Sequence, residues 1–150
     1  DRPEDLPEWA YDDCGMQRNL SIAGVRRAER VGETIRELGI PVGTVLSSPF
    51  CRCNNHAEAA FDEVEATHDL NFAREDIASR VSNRLQQSPE DGTNTVYVAH
   101  TLSSMGIDEQ LIPGTNLSEG ECVVVDPEQP LEEAAVRFIS PDEFFESLAE

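Results

Sequence analysis

The chain has no lysine. All 11 basic side chains are arginine, set against 30 Asp plus Glu, so the formal charge at pH 7 is -19 and the isoelectric point lies near 4.3. Nucleic acid and anionic membrane surfaces are therefore poor partners, because affinity for either rests on clustered cations. Apolar runs of the roughly 20 residues needed to cross a bilayer are also missing. So are internal repeats, low-complexity tracts and any clear interdomain linker; 150 residues with 39% apolar content suit one domain over residues 1–150, long enough to bury a core. An acidic surface fits a protein working in concentrated salt, where self-repulsion is screened, but an acidic protein of dilute media would have the same composition.

Cysteine is present but lacks a framework. Cys14, Cys51, Cys53 and Cys122 include one close pair, with a single residue between the thiols, unlike the two to four of common zinc sites. Cys53 and Cys122 read as small buried hydrophobes, and Cys14 and Cys51 as unreactive thiols, with a lowered Cys51 pKa beside Arg52 as the alternative. No metal or cofactor is expected. The compartment stays open between cytoplasm, periplasm and exterior, with the cytoplasm slightly ahead. Asp1 to Gln17 is polar, contains proline and has no periodicity. Residues 1–18 are expected to form an N-terminal loop, with a preceding element upstream of Asp1.

Regular patterning starts at Asn19. Asn19 or Ser21 can cap a helix in which Val25, Ala28, Val31, Ile35 and Leu38 recur at helical spacing, with Gly39 as its stop. A short strand, Thr44–Ser47, and a helix from Pro49 to about Phe61 follow. Val64, Ala66, His68 and Leu70 alternate as on a strand, which makes His68 structural or a pocket edge. Ile77, Val81 and Leu85 mark another helix, and Thr95–Ala99 is an apolar run of the kind buried on both faces of a parallel sheet. A short helix near Ser103–Leu111, strands Glu121–Val125 and Ala134–Ile139, and a last helix capped by Ser140-Pro141 complete the pattern. Alternating strands and helices predict a three-layer α/β/α sandwich around a mostly parallel sheet.

Two segments carry the chemistry. Leu46-Ser-Ser-Pro-Phe-Cys-Arg52 and Thr95-Val-Tyr-Val-Ala-His100 each place a cation just beyond a strand's carboxyl end, where open parallel sheets bind ligands. With Ser48 as N-cap and Pro49 as first helical residue, Arg52 falls in the first helical turn. There it opposes a macrodipole that favours anions by roughly 0.3–1 kcal/mol, a conflict that a bound anion would remove. The alternative is an Arg that snorkels into solvent.

Gln17-Arg-Asn-Leu-Ser-Ile-Ala-Gly24, Val45-Leu-Ser-Ser-Pro-Phe-Cys-Arg52, Val96-Tyr-Val-Ala-His-Thr101 and Glu119-Gly-Glu-Cys-Val-Val124 together resemble, in order and spacing, the histidine phosphatase (phosphoglycerate-mutase-like) superfamily. The first of these looks most like its small phosphatase branch. The resemblance implies a phosphomonoester hydrolase in which the His of an Arg-His-Gly motif, at the end of the first strand, attacks phosphorus and is transiently phosphorylated, without metal. By that resemblance Arg52 and His100 hold phosphoryl oxygens of a small phosphorylated substrate or of inorganic phosphate. Arg18, His56 and Thr101 become substrate-binding candidates, and the general-acid candidates are Asp12 or Asp13 in the N-terminal loop and Glu119 or Glu121 near the late strand. His56 stands where the family has a small hydroxyl residue, one turn from Arg52.

The Arg-His-Gly motif itself does not occur; the histidines are His56, His68 and His100, and none follows an Arg. The expectation is that the motif and its strand lie upstream of Asp1, which would leave open strand edges and an apolar gap. A non-catalytic phosphate-binding or interaction domain of the same fold is the alternative. Mutase activity is disfavoured because the further carboxylate and basic groups that it needs cannot be located.

Overall fold

The computed structural model describes residues 11, 13–107, 112, 117 and 120–147, and within them the protein is a mixed α/β fold. Helix α1 spans Ile22–Glu37 and starts where Ser21 Oγ accepts the Gly24 N–H at 3.0 Å. Gly39, at φ 70°, follows the helix end in the left-handed conformation that glycine adopts without strain. The inner face of α1 buries Ala28, Val31, Gly32, Thr34 and Ile35. It packs on α2, Cys51–Ala60, so closely that a Cβ on Gly32 would overlap the Ala60 carbonyl.

Strand β1, Val42–Ser47, lies between β2, Glu65–Ala66, and β3, Asn94–Val98, in one parallel sheet of order β2-β1-β3. Ser47 pairs with Ala66 on one side and Val98 on the other, so the carboxyl ends of all three strands lie side by side. Burial rises along β1 to Val45, Leu46 and Ser47. Helix α3, Ile77–Leu85, turns Ile77 and Val81 into a core with Leu46, Leu70, Met105 and Ile107. Each such side chain contributes about 1.5–3 kcal/mol when fully buried.

Three expectations change here. The strand read over Val64–Leu70 is only two residues long. Thr67 N–H donates to Ser47 O and ends the ladder; its Oγ1 accepts the Asp69 N–H, and the chain coils into a 3-10 turn, His68–Leu70. Of the helix expected near Ser103–Leu111, the described part is a 3-10 turn, Ser103–Met105, followed by Gly106 at φ 74°, and residues 108–111 lie outside the described residues. Residues 95–98 of β3 are half-buried rather than enclosed. Among the described residues, no strand pairs with the side of β3 away from β1.

Beyond β3, β4 (Cys122–Val125) pairs antiparallel with β5 (Ala135–Ile139) in a separate two-stranded sheet, with the short helix α4 (Leu131–Ala134) between them. Helix α5, Pro141–Ser147, is capped as its sequence predicts, Ser140 Oγ accepting the Glu143 N–H at 3.2 Å. Phe145 and Ile139 pack against Val31 and Ile35 of α1. No helix among the described residues is long and apolar enough to cross a membrane.

Candidate phosphate-binding site

The parallel pairing of β1 with β3 brings the segments that leave them together. Ser48 N–H donates to Val98 O at 2.9 Å, and the Cys53 thiol in the first turn of α2 approaches Ala99 O at 3.4 Å. These ties seat Arg52 beside His100. Arg52 Nη2 lies 3.2 Å from His100 Nδ1, and Ser48 Oγ lies 2.8 Å from His100 Nε2. A guanidinium only donates, so Nδ1 is the acceptor, and the ring hydrogen assigned from these partners sits on Nε2 and points to Ser48 Oγ. Burial, and then the Arg52 charge, push the His100 pKa down to about 3. His100 is thus a neutral imidazole at neutral pH.

Aromatic rings wall this pair. Phe72 and Phe50 meet the His100 ring edge-on, with centroids at 4.4 and 5.1 Å, and stack on each other at 5.1 Å. The Arg52 guanidinium lies 4.9 Å from the Phe50 centroid and 5.9 Å from that of Phe72. The ring faces ease its conflict with the α2 macrodipole. Burial raises the Cys53 thiol to about 11, against smaller opposing effects of Arg52 and Ser48, so it stays protonated.

The start of α2 differs from its sequence reading. The helix begins at Cys51, and Ser48 is committed to His100, its Oγ lying 3.5 Å from the Phe50 nitrogen. Gln17 caps instead, its Oε1 accepting the Cys51 N–H at 2.8 Å. The reading of Cys14 and Cys51 as separate thiols is corrected outright: they form a disulfide with a Cα separation of 5.6 Å. A sequence separation of 37 hid this pairing, which the fold creates by laying the N-terminal turn Cys14–Met16 over α2. Cys53 and Cys122 are free, Cys53 buried and Cys122 half-buried.

The other candidates scatter. Asp13 is exposed, and its Oδ1 accepts the Gly15 N–H at 3.1 Å within the Cys14–Met16 turn. Arg18 is exposed. His56 is half-buried on α2, and burial lowers its pKa. Thr101 is exposed and donates from Oγ1 to Ser104 Oγ at 3.1 Å in the turn after His100. Glu119 and Asp12 lie outside the described residues.

Sequence reasoning missed Tyr11, Phe72 and Asn71. Fully buried Asn71 donates to the Tyr11 hydroxyl at 3.0 Å, and the Tyr11 ring meets Phe50 at 5.4 Å and His68 at 5.3 Å. His68 Nδ1 accepts from Arg74 Nη2 at 3.0 Å, so His68 belongs to the wall behind the pair. None of these three sits in a periodic segment, and no sequence signal marks them. A cavity of about 500 Å³ between α1 and α5 holds Arg26, Arg27, Arg30, Asp142 and Phe145 and no residue of this cluster. Arg52 and His100 touch each other directly, so an anion binds between them only by parting them. Comparison with protein-family models and with characterised proteins finds no match for this chain.

Proposed function

We propose that Arg52 and His100 form the phosphoryl-binding site of a phosphomonoester hydrolase working through a phosphohistidine intermediate, on the three-layer histidine phosphatase fold that the four sequence segments resemble. The observation that carries this reading is the company Arg52 keeps. In a chain with 30 acidic residues, its guanidinium faces a neutral imidazole and two ring faces, and among the described residues no carboxylate lies within ion-pair distance. A dianion entering between Arg52 and His100 receives the planar guanidinium fork on two oxygens. It also reverses the His100 electrostatics, since a negative charge beside the ring favours imidazolium. Nε2–H then keeps its bond to Ser48, while a newly protonated Nδ1 donates to a third oxygen. Binding therefore takes up a proton, and both donors stabilise the charge that builds on the oxygens in the transition state.

On this reading the attacking group is the histidine of an Arg-His-Gly motif, as the resemblance implies. Both nitrogens of His100 already have partners, and His68 Nδ1 is occupied, so neither presents a free nucleophilic nitrogen at a strand end. That same engagement favours the second reading, a phosphate-binding domain without turnover.

The test is hydrolysis of p-nitrophenyl phosphate by the full-length gene product in EDTA, together with calorimetric binding of inorganic phosphate. Arg52→Ala and His100→Ala are each expected to lower kcat/KM by about 100-fold or more. Phosphate binding without turnover selects the binding-domain reading. Failure of phosphate to bind ends both.

A further inference from the structure

We propose that the Cys14–Cys51 disulfide is a redox-cleavable latch that clamps the N-terminal turn over the start of α2 and so sets the geometry of the phosphate site. Its two sulfurs occupy unequal surroundings. Cys51 is the first residue of α2 and only 5% exposed, whereas Cys14 is half-buried in the turn Cys14–Met16. A cavity of about 260 Å³, lined by Tyr11, Cys14, Pro49, Cys51 and Asn54 among others, opens beside the bond and gives a small thiol a path to it.

What the latch holds leads straight to the site. Gln17, three residues after Cys14, caps Cys51 N–H through Oε1 and donates from Nε2 to Tyr11 O at 3.2 Å. The Tyr11 carbonyl oxygen lies 3.4 Å from Cys51 Sγ, and its ring packs edge-on against Phe50. Phe50 is one of the two rings that touch both Arg52 and His100. Loss of the covalent tie leaves Tyr11 and Gln17 to non-covalent contacts, among them the Asn71 hydrogen bond and the Phe50 and His68 ring contacts of Tyr11, and so loosens the outer support of Phe50.

The chemistry balances with a dithiol as reductant. One dithiol thiolate attacks Cys14 Sγ, the accessible sulfur, and Cys51 leaves as a thiolate at the α2 N-terminus beside Arg52, a position that favours the anion. The second dithiol sulfur then attacks the mixed disulfide and releases Cys14. Two electrons and two protons pass to the protein as two thiols, and the dithiol ends as its own disulfide. Reoxidation by a disulfide of the same class runs the steps backwards.

The affinity part of this proposal rests on the phosphate reading of Arg52 and His100; the opening of the turn does not. Dithiothreitol-treated protein, untreated protein and the Cys14→Ser/Cys51→Ser variant are compared by chymotryptic cleavage at Tyr11 and by calorimetric binding of inorganic phosphate, with near-ultraviolet dichroism as the check on folding. Cys122→Ser is the redox control. Cleavage at Tyr11 is expected to quicken at least about tenfold, and phosphate affinity to fall about tenfold, in both the reduced and the double-variant proteins. The Cys122→Ser protein is expected to respond to reductant as the unsubstituted chain does. Equal cleavage in oxidised and reduced protein overturns the latch, as does a bond that dithiothreitol leaves intact while the protein is folded. Faster cleavage with unchanged affinity overturns the coupling to the site. Absence of phosphate binding in every form is instead a failure of the phosphate reading, and cleavage at Tyr11 still decides the latch.

Discussion

Arginines in two regions of this molecule face opposite kinds of partner. On α3, Arg80 and Arg84 converge on one carboxylate, with Arg80 Nη1 3.0 Å from Asp69 Oδ1 and Arg84 Nε 2.8 Å from Asp69 Oδ2. At the sheet's carboxyl edge, Arg52 meets a neutral imidazole and two aromatic faces. In the first arrangement opposite charges are matched, Asp76 Oδ2 lying 2.8 Å from Arg80 Nε beside the shared Asp69, and both arginines help hold α3 to the His68–Leu70 turn. In the second, a full positive charge and a half-buried imidazole face each other with donor capacity left over, and the ring walls weaken the competition from water. Charge met by charge is architecture, whereas charge met by neutral groups, at the place where parallel sheets take ligands, leaves work for an anion.

The sharpest way to break this contrast is to titrate His100. With a folded pKa near 3 against an unfolded value near 6.5, the unfolded chain binds a proton in that window that the folded chain does not. Stability supplied by neutral His100 is therefore full above about pH 6.5 and falls as pH drops toward about 3. Burial lowers His56 in the same direction. Proton NMR of the His100 ring is expected to show no titration near pH 6.5 in the free protein, and a midpoint raised past neutrality when phosphate binds. Arg52→Ala recovers only part of the shift, because burial is the larger cause. A free-protein midpoint at the ordinary histidine value would mean that Arg52 and the rings do not hold His100 as described.

A smaller effect separates fork from charge. Arg52→Lys keeps the positive charge but loses the planar pair of donors, so inorganic phosphate should bind about ten- to a hundredfold more weakly, one lost charge-assisted hydrogen bond being worth about 1.5–3 kcal/mol. Unchanged affinity would show that Arg52 acts as a point charge alone. In that case the mechanism of bidentate capture fails while the site survives.

The convergence of Arg52 and His100 was legible because it follows from a rule of topology. Residues just past adjacent parallel strands must be neighbours, and both strands were readable from short apolar runs. Strand order was not readable, nor was the brevity of β2, since period-two alternation over Val64–Leu70 carries no sign that Thr67 will end the ladder by bonding Ser47 O and capping a turn. Ser48 looked like an N-cap because serine before proline usually is one; the histidine that claims its hydroxyl comes 52 residues later. The Cys14–Cys51 bond escaped for the same reason, as spacing rules for cysteine describe local metal sites and say nothing of thiols that meet only after folding.

The smallest expected effect tests the other side of the contrast. Burial alone would raise the Asp69 carboxyl, but hydrogen bonds and charge from Arg84 and Arg80 outweigh it and hold the pKa below the usual carboxylate range. Its contribution is thus present above the unfolded carboxylate pKa and lost as pH falls through the lower folded value. The groups are partly exposed, so solvent screens them, and Asp69→Asn should lower the thermal midpoint by only about 2–4 °C. Molar salt, with a Debye length of about 3 Å, should shrink that difference further. Phosphate affinity should not move, because among the described residues Asp69 shares no partner with Arg52 or His100 and ties its turn to α3. If Asp69→Asn weakens phosphate as much as Arg52→Lys does, the two arginine environments are one coupled network, and the division between a satisfied charge and a waiting one is wrong.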